Sequence, residues 1–329
     1  MKRKQCLLTT YVAGIKYQAY IPMLVYSCHK AYPEYDVMIF LHEDLAPQIR
    51  ESLINAGLYD NVVIKENVYR EECANMTSLQ AKSCRWILWD DIFLNYDYLY
   101  IIDVDIFYIR EPLALHLQHS KRMEETGLPF DNMRRYATLN RSVRGILKRI
   151  KTSGLHKIIR FLFEKDIREE KLSGLHFVDV KKYYTKNNIN YFELVKNKLF
   201  RHYYFPEIMT SNNEVLLANM MKELGCNLSV LGVQTDSVTS LPFDDIYRSE
   251  FRPHHGFHLG IFAADCHITN DPTLDSDTYH YYLEQYKAII KEEGFCVMYQ
   301  NLPELAKSYL DRLHSYYKIT YNTNQHNRD

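Results

Sequence analysis

The chain has 329 residues, a formal net charge of −1, 47% apolar residues and 25% charged residues. This length predicts one large α/β domain with additions, or about two domains, with enough apolar residues for a sizeable core. The balanced charge gives no argument for binding nucleic acid. Tyrosine is unusually frequent, with 28 copies. Most of these rings are expected to fill the core, although sugar-stacking or membrane-interface surfaces also use tyrosine.

The cysteines and the N-terminus both favour a cytoplasmic protein. The seven cysteines are scattered and form no CxxC pair, which argues against a disulfide framework or a zinc site. The start, MKRKQCLLTTYVAG, has too few apolar residues for a signal peptide. No window approaches about 18 uninterrupted apolar residues, so no membrane span is predicted.

The first hundred residues alternate between strand patterns and helix patterns. Strands are predicted at 6–10, 36–42 and 61–67, and helices at 17–30, 46–57 and 77–95. The apolar run YLYIIDVDIFYI at 98–109 follows as a strand buried on both faces. This alternation predicts an α/β fold with a mainly parallel sheet flanked by helices. Ligands of such sheets bind beyond the carboxyl ends of the strands.

The middle of the chain is less regular and contains a basic segment, RSVRGILKRIKTSGLHKIIR, at 141–160. It holds seven Lys or Arg and no acid, with apolar residues at helical spacing. One interpretation is an amphipathic segment on the anionic inner face of a membrane. The other is a solvated basic face that packs on the domain.

The remaining elements complete the predicted architecture. A strand running into a helix is predicted at 173–184, a helix at 210–225, a strand at 227–233, and a loop at 251–267. The last sixty residues read as a Tyr-rich helical extension with a polar tail. We therefore expect a catalytic domain over 1–268, with a basic insertion at about 130–172, and a helical extension over 269–329.

Two aspartates interrupt the apolar run. In a strand, Asp103 and Asp105 would point to the same side, about 6.6 Å apart along the chain. Two buried carboxylates without a positive partner are costly. A divalent cation meets this need, because Mg²⁺ and Mn²⁺ prefer carboxylate oxygens and keep positions open for phosphate. A strand end with solvated aspartates is the alternative.

Histidines and basic residues elsewhere could complete such a site. His254, His255 and His258 lie in one short stretch, and an imidazole suits Mn²⁺ as a further ligand. Lys82 and Arg85 are spaced to share one helical face, where either could reach a diphosphate. An ordinary exposed basic face would give the same spacing.

Six short segments, taken in order, resemble glycosyltransferase family 8, which includes glycogenin and bacterial lipopolysaccharide galactosyl- and glucosyltransferases. They are LTTYVAG at 8–14, KSCRW at 82–86, IIDVD at 101–105, SGLHFVDVKKYY at 173–184, NNEVLLANMM at 212–221 and HLG at 258–260. The specificity lies in their order and approximate spacing. Leu172 stands where the family has Asn, Asn213 and Glu214 replace an Asp-Gln pair, and no Lys-Pro-Trp follows the histidine.

The resemblance implies a GT-A fold and a role for each matched residue. Asp103 and Asp105, with His258 or His255, would bind Mn²⁺ or Mg²⁺. Thr9 and Tyr11 would contact the base or ribose of the donor. Ser173 and Gly174 would line the sugar subsite, with Asn213 and Glu214 as catalytic residues, and Lys82 or Arg85 would contact the diphosphate.

The resulting hypothesis is a metal-dependent transferase that moves a sugar from a nucleotide sugar, expected to be a UDP-sugar, to a glycan or lipid-linked acceptor. The family implies retention of configuration. The basic segment 141–160 and the Tyr-rich C-terminus are compatible with a lipid-linked or cell-envelope acceptor and a role in cell-surface polysaccharide synthesis. A haloacid-dehalogenase-type phosphatase also carries D-x-D after an apolar strand, but there the pair usually lies on the first strand. A degenerate sugar-binding or scaffold protein is a third, non-enzymatic class.

Overall fold

The computed structural model describes residues 3–138, 168–201, 212–232, 255–260 and 277–319. The basic segment 141–160, His254 and the polar tail lie outside the described residues. The described chain divides into two compact units. The first unit contains Gln5–Val68, Asp103–Gln118 and the described part of Ser237–Asp329. The second contains the described part of Met1–Lys4, Tyr69–Ile102 and the described part of His119–Asp236. The predicted boundary at residues 268 and 269 stays a prediction.

The first unit is built on three parallel strands in the order β3-β2-β1. These are β1 (Lys4–Val12), β2 (Asp36–Leu41) and β3 (Val63–Lys65). The helices between them are α1 (Ile15–Gln18), α2 (Ile21–Ala31) and α3 (Pro47–Asn55). Strands that alternate with helices in this way confirm the predicted α/β class.

Pro22 shapes the first helical segment. The sequence predicted one helix over 17–30, interrupted early by this proline. Pro22 lies in the first turn of α2, where a backbone N–H has no helical acceptor and its absence costs little. The segment is therefore divided into α1 and α2, and α2 is buried along almost its whole length.

The first unit also contains the C-terminal helices and a short antiparallel ladder. Strand β5 (Ile106–Tyr108) pairs with strand β10 (Gly256–His258), the last strand of the described chain. The helices are α9 (Asp277–Ile289), α10 (Glu293–Gln300) and α11 (Glu304–Tyr316). Phe107 of β5 and Phe257 of β10 pack edge-on against Tyr286 of α9. The predicted C-terminal helices are confirmed, and their tyrosines contribute to the core.

The second unit has antiparallel strands, which the prediction of a mainly parallel sheet did not anticipate. Strands β4 (Tyr96–Ile101), β9 (His176–Asp179) and β6 (Phe130–Asp131) pair in that order, and β7 (Arg134–Thr138) pairs with β8 (Arg168–Leu172). The helices are α4 (Ser78–Cys84), α6 (Val180–Tyr183), α7 (Lys186–Phe200) and α8 (Asn213–Glu223). Helix α5 (Leu115–Thr126) begins in the first unit and ends in the second.

Two predicted elements of the second unit are wrong. The helix over 77–95 begins as predicted, with a capping box between Thr77 and Gln80, but α4 ends at Cys84. Asp90 then accepts a hydrogen bond from the Ile92 N–H and starts a separate 3₁₀ turn, because a short acidic side chain can bond to the backbone outside a helix. The strand predicted at 227–233 is a 3₁₀ turn over Leu228–Val230, started in the same way by Asn227.

His176 is a fully buried histidine in the core of the second unit. Its Nδ1 is 3.0 Å from the Asn132 amide nitrogen, and its ring contacts Phe130 and Trp86. Burial lowers the pKa of His176 to about 3, against the opposing effect of Asp131. The unfolded chain therefore binds a proton below about pH 6.5 that the folded chain excludes, so stability falls on acidification by about 1.4 kcal/mol per pH unit.

We expect His176→Gln to reduce this acid sensitivity. Loss of ring packing lowers the free energy of unfolding near pH 7 by about 1–3 kcal/mol. The further drop between about pH 6.5 and 4.5 should be about 2–3 kcal/mol smaller than in the wild type. Urea unfolding at both pH values measures this, with exposed His280→Gln as the control. An equal decrease in the free energy of unfolding in wild type and His176→Gln would contradict the assignment of this acid sensitivity to His176.

Candidate active site

The two aspartates of the D-x-D motif lie in a turn between two strands. Strand β4 ends at Ile101, and β5 begins at Ile106. Asp103 and Asp105 therefore follow the carboxyl end of β4, and neither lies within a strand as predicted. Both are partly exposed. This placement removes the cost of complete burial and leaves carboxylate oxygens accessible to a ligand.

The ladder between β5 and β10 brings His258 to Asp105. His258 is paired with Ile106, and the Leu259 N–H donates to the Asp105 carbonyl at 2.7 Å. The Nε2 atom of His258 lies 3.1 Å from Oδ2 of Asp105. Two residues that are distant in the chain therefore form one polar pair in the first unit.

Gly260 lies directly against this pair. A Cβ atom at this position would lie 2.2 Å from Oδ2 of Asp105 and 3.5 Å from Nε2 of His258. The absent side chain leaves the space that the Asp105 carboxylate occupies. The short motif HLG is thus explained at both of its ends, because His258 supplies the imidazole and Gly260 supplies the space.

The Asp105–His258 pair is compatible with a divalent cation. Two neighbouring ligands in an octahedral site, each about 2.1 Å from the ion, lie about 3.0 Å apart. The observed separation of 3.1 Å agrees with this value, and carboxylate and imidazole together suit Mn²⁺. Within the described ranges, no group of three or more His, Cys, Asp or Glu side chains is arranged to hold a metal. The protein would thus supply few ligands, leaving positions for phosphate oxygens.

His255 does not join this pair. Its Nδ1 lies 2.8 Å from Oε1 of Glu111, and both side chains are buried. A buried imidazole that is engaged by a carboxylate has no exposed nitrogen to offer an incoming ion there. His255 is therefore left out of the proposed metal site, and His258 is the candidate ligand.

The predicted donor contacts of β1 are also buried. Thr9 is completely inaccessible in the middle of β1, so we leave its side chain out of the proposed site. Tyr11 is nearly buried, and its hydroxyl donates to the Val68 carbonyl at 3.0 Å and lies 3.1 Å from Nδ1 of His42. The Tyr11 hydroxyl is thus engaged within the protein, and its contact with a nucleotide stays a prediction.

Two tyrosines near Asp105 were not predicted. Tyr20 and Tyr309 stack with their ring centroids 4.2 Å apart. Burial raises the pKa of both hydroxyls, and the negative charge of Asp105 adds to the effect in each. Neither residue belongs to a recognisable motif, and only the packing of α11 in the first unit brings Tyr309 to this position.

In the second unit, the two basic candidates have different surroundings. Lys82 is exposed on α4. Arg85 follows the end of α4, and its guanidinium lies 4.2 Å from the ring centroid of Trp86. Arg85 is the C-cap of α4 and begins a 3₁₀ turn, so only Lys82 lies within the α-helix, and the shared face stays a prediction. Lys82 is the more accessible cation of the two.

Ser173 and Gly174 lie in the bend between β8 and β9. Asn132, which was not predicted, fixes this bend, because its Oδ1 accepts from the Ser173 N–H at 2.8 Å and its Nδ2 donates to the Ser173 carbonyl at 3.3 Å. The Ser173 N–H also donates to the Met133 carbonyl at 3.0 Å, so the Asn132 amide adds its two bonds to this backbone contact. The sequence gives no local signal for this contact.

Asn213 and Glu214 form the first turn of α8. The Asn213 carbonyl accepts from Nε1 of Trp86 at 3.1 Å. The two oxygens of Glu214 are ion-paired, one with Arg135 and the other with Lys171. Arg135 and Lys171 are directly opposite each other across the β7–β8 ladder, where like charges repel. Glu214 neutralises this repulsion, and both of its carboxylate oxygens are engaged by these cations.

Comparisons with known proteins give similarities of structure. No family model matches the chain, and no curated protein matches it by sequence. Among solved structures, an active-site mutant of LgtC has a TM-score of 0.41 with 11% identity, over 86% of this chain and 95% of that one. Mouse xyloside xylosyltransferase 1 in its apo form has a TM-score of 0.40 with 10% identity, over 80% and 98%.

A third similar structure is core-mannan synthase A from Aspergillus fumigatus in its Mn/GDP form, with a TM-score of 0.38 and 10% identity, over 67% of this chain and 70% of that one. These proteins are named for sugar transfer or polysaccharide synthesis. At such low identities and TM-scores, the likeness assigns this chain neither a function nor a substrate. The proposal below therefore depends on the chain's own residues.

We expect Gly260→Ala to weaken Mn²⁺ binding. The new methyl group would displace the Asp105 carboxylate from His258, because a side-chain oxygen moves more easily than the backbone. The affinity measured by titration calorimetry should fall about 10-fold or more. Gly294→Ala is the matched control, since its new Cβ would make only an ordinary contact, 3.7 Å from Tyr26. Unchanged affinity in Gly260→Ala would remove Asp105 from the metal site.

We expect Glu214→Gln to destabilise the second unit. The neutral amide leaves Arg135 and Lys171 facing each other without a counter-charge, which should cost about 1–2 kcal/mol at this partly exposed position. Chemical denaturation measures the change, and Glu223→Gln, on an exposed position of α8, is the control. Full stability combined with loss of transferase activity would instead indicate a catalytic role for Glu214.

Proposed function

We propose that the chain is a GT-A glycosyltransferase that uses Mn²⁺ or Mg²⁺ and a nucleotide sugar, with a UDP-sugar as the expected donor. The observation that carries the proposal is the Asp105–His258 pair beside Gly260, placed where the D-x-D motif leaves strand β4. Its motifs resemble those of glycosyltransferase family 8. The finer assignment to family 8 chemistry is part of the proposal.

In this proposal, the Asp105–His258 pair holds the cation, and Asp103 of the same turn stays a predicted further ligand. When bound, the cation neutralises the donor diphosphate so that it can leave as a group. Lys82 adds positive charge for the diphosphate, and Arg85 is a second candidate for that role. Ser173 and Gly174 line the sugar subsite, where the Asn132 amide keeps their bend in one conformation.

The transfer breaks the bond between the sugar C1 and the diphosphate oxygen, and forms a bond from C1 to an acceptor hydroxyl. In a retaining reaction, the departing phosphate oxygen accepts the acceptor's proton, so the protein needs no general base. Arg135 and Lys171 engage both oxygens of Glu214, so neither oxygen faces an acceptor hydroxyl freely, which favours this route over one in which Glu214 is the base. Glu214 and Asn213 would then support positive charge on the sugar.

The acceptor in this proposal is a glycan or a lipid-linked sugar of the cell surface. Within the described residues, no helix has the length and apolar character needed to cross a membrane. The basic segment 141–160 is the proposed contact with an anionic membrane surface, on the cytoplasmic side, and it lies outside the described residues.

The deciding experiment is a thermal-shift panel of nucleotides and nucleotide sugars, with and without Mn²⁺. The proposal expects one UDP-sugar to raise the melting temperature only when Mn²⁺ is present, because cation and diphosphate bind together. The shift should be absent in Asp105→Ala and kept in Asp60→Ala, which changes an exposed aspartate.

Other results would point to the competing functions. Stabilisation by UDP and Mn²⁺ without hydrolysis or transfer would indicate a sugar-binding or scaffold protein. No shift with any nucleotide, together with release of phosphate from a phosphate ester, would favour the phosphatase. Either result would overturn the proposed transferase.

A further inference from the structure

Glu111 is a buried carboxylate in the first unit that no predicted function uses. It is only 3% exposed, and its partner His255 is 2% exposed. Burying a charge is costly unless the charge is paired and hydrogen-bonded. The structure must therefore compensate Glu111 from several directions, and the compensating groups show which elements it holds together.

Four groups meet Glu111. Its Oε1 accepts from Nδ1 of His255 and from the Tyr282 hydroxyl, and its Oε2 accepts from the Gln118 amide. Its own backbone N–H donates to the Tyr32 hydroxyl at 3.2 Å. The carboxylate thus joins α5 and α9 to the residue immediately before β10, and the backbone of Glu111 is held by Tyr32, which directly follows α2.

The side chain is held as a carboxylate. Burial alone raises its pKa, but the positive charge of His255 and the hydrogen bonds from His255, Tyr282 and Gln118 outweigh this and lower it to about 2. Glu111 therefore remains an acceptor at neutral pH.

His255 passes this restraint to strand β10. Its carbonyl accepts from the Ile109 N–H at 3.0 Å, and the ladder continues through Gly256 opposite Tyr108 to His258 opposite Ile106. His255 has a φ of 60°, a left-handed conformation that is uncommon for residues with a side chain. The contact with Glu111 holds the imidazole in place while the backbone takes this conformation.

Gly256 restricts the β5–β10 ladder to one register. Its φ is 154°, and a Cβ atom there would lie 2.0 Å from the Phe107 carbonyl oxygen. A slip of one residue would bring a side chain into that contact and would turn His258 to the other face, away from Asp105. The register of β10 therefore decides whether the Asp105–His258 pair exists.

We propose that Glu111 is a positioning residue for the metal site: it anchors His255 and thereby fixes the β10 register that places His258 beside Asp105. This inference rests on the proposed function, because it assumes that the Asp105–His258 pair binds a divalent cation. Glu111 itself touches neither the ion nor the substrate. Its effect is transmitted through His255 and the β5–β10 ladder.

The test measures the Mn²⁺ affinity of the full chain from the electron paramagnetic resonance signal of free Mn²⁺. Glu111→Gln keeps the size of the side chain and removes its charge, and it should weaken Mn²⁺ binding about 10-fold or more. Glu34→Gln is the matched control, because Glu34 pairs with Arg110 at the surface. It should bind Mn²⁺ like the wild type.

A double variant tests the route of the effect. If Glu111 acts through His255, then Glu111→Gln combined with His255→Gln should bind Mn²⁺ about as weakly as the weaker single variant. Tyr282→Phe removes one hydrogen bond to the same carboxylate and keeps the His255 contact. This variant should give a smaller loss, and it keeps the test open if Glu111→Gln does not fold.

The outcomes separate the two proposals. A wild type that binds no Mn²⁺ would overturn the proposed metal site. A wild type that binds Mn²⁺, with folded Glu111→Gln binding equally well, would overturn the positioning role alone. A lower melting temperature with unchanged Mn²⁺ affinity would also overturn it, since Glu111 would then contribute only to stability.

Discussion

The two-stranded ladder between β5 and β10 is the constraint on which the candidate site depends. Strand β5 begins immediately after Asp105, and β10 ends at His258, so their antiparallel pairing places the two side chains together. Backbone hydrogen bonds define this pairing, and the aromatic residues of α9 and α10 cover it. The tyrosine-rich C-terminal helices therefore support the site by packing, without supplying a metal ligand.

Buried and half-buried charges have different consequences in the two units. In the first unit, Glu111 is surrounded by donors and fixes a strand. In the second unit, Glu214 is shared by two cations that face each other across a ladder. Glu214 separates two like charges, whereas Glu111 is itself a buried charge that its donors compensate. Glu214 occupies a position that motif resemblance alone would assign to catalysis, yet its contacts also explain it as a structural counter-ion.

Features carried by adjacent residues could be found in the sequence more reliably than contacts between residues that are distant in the chain. The D-x-D motif and the HLG segment were found because their residues are adjacent, and the Asp105–His258 pair joins them. Thr9 and His255 matched or bordered motifs, but burial removes them from the proposed site. Asn132, Tyr20 and Tyr309 belong to no motif and were missed, since their positions depend on packing between distant segments.

The sequence by itself determined the α/β alternation, the helical C-terminus, and the interruption of the first predicted helix by Pro22. These features follow from local periodicity and from backbone preferences of single residues. Tertiary structure decided which histidine meets Asp105, which carboxylates are engaged by cations, and where the strands of the second unit run antiparallel. Such choices depend on strand register and on burial, which arise only when distant segments compete for the same partners.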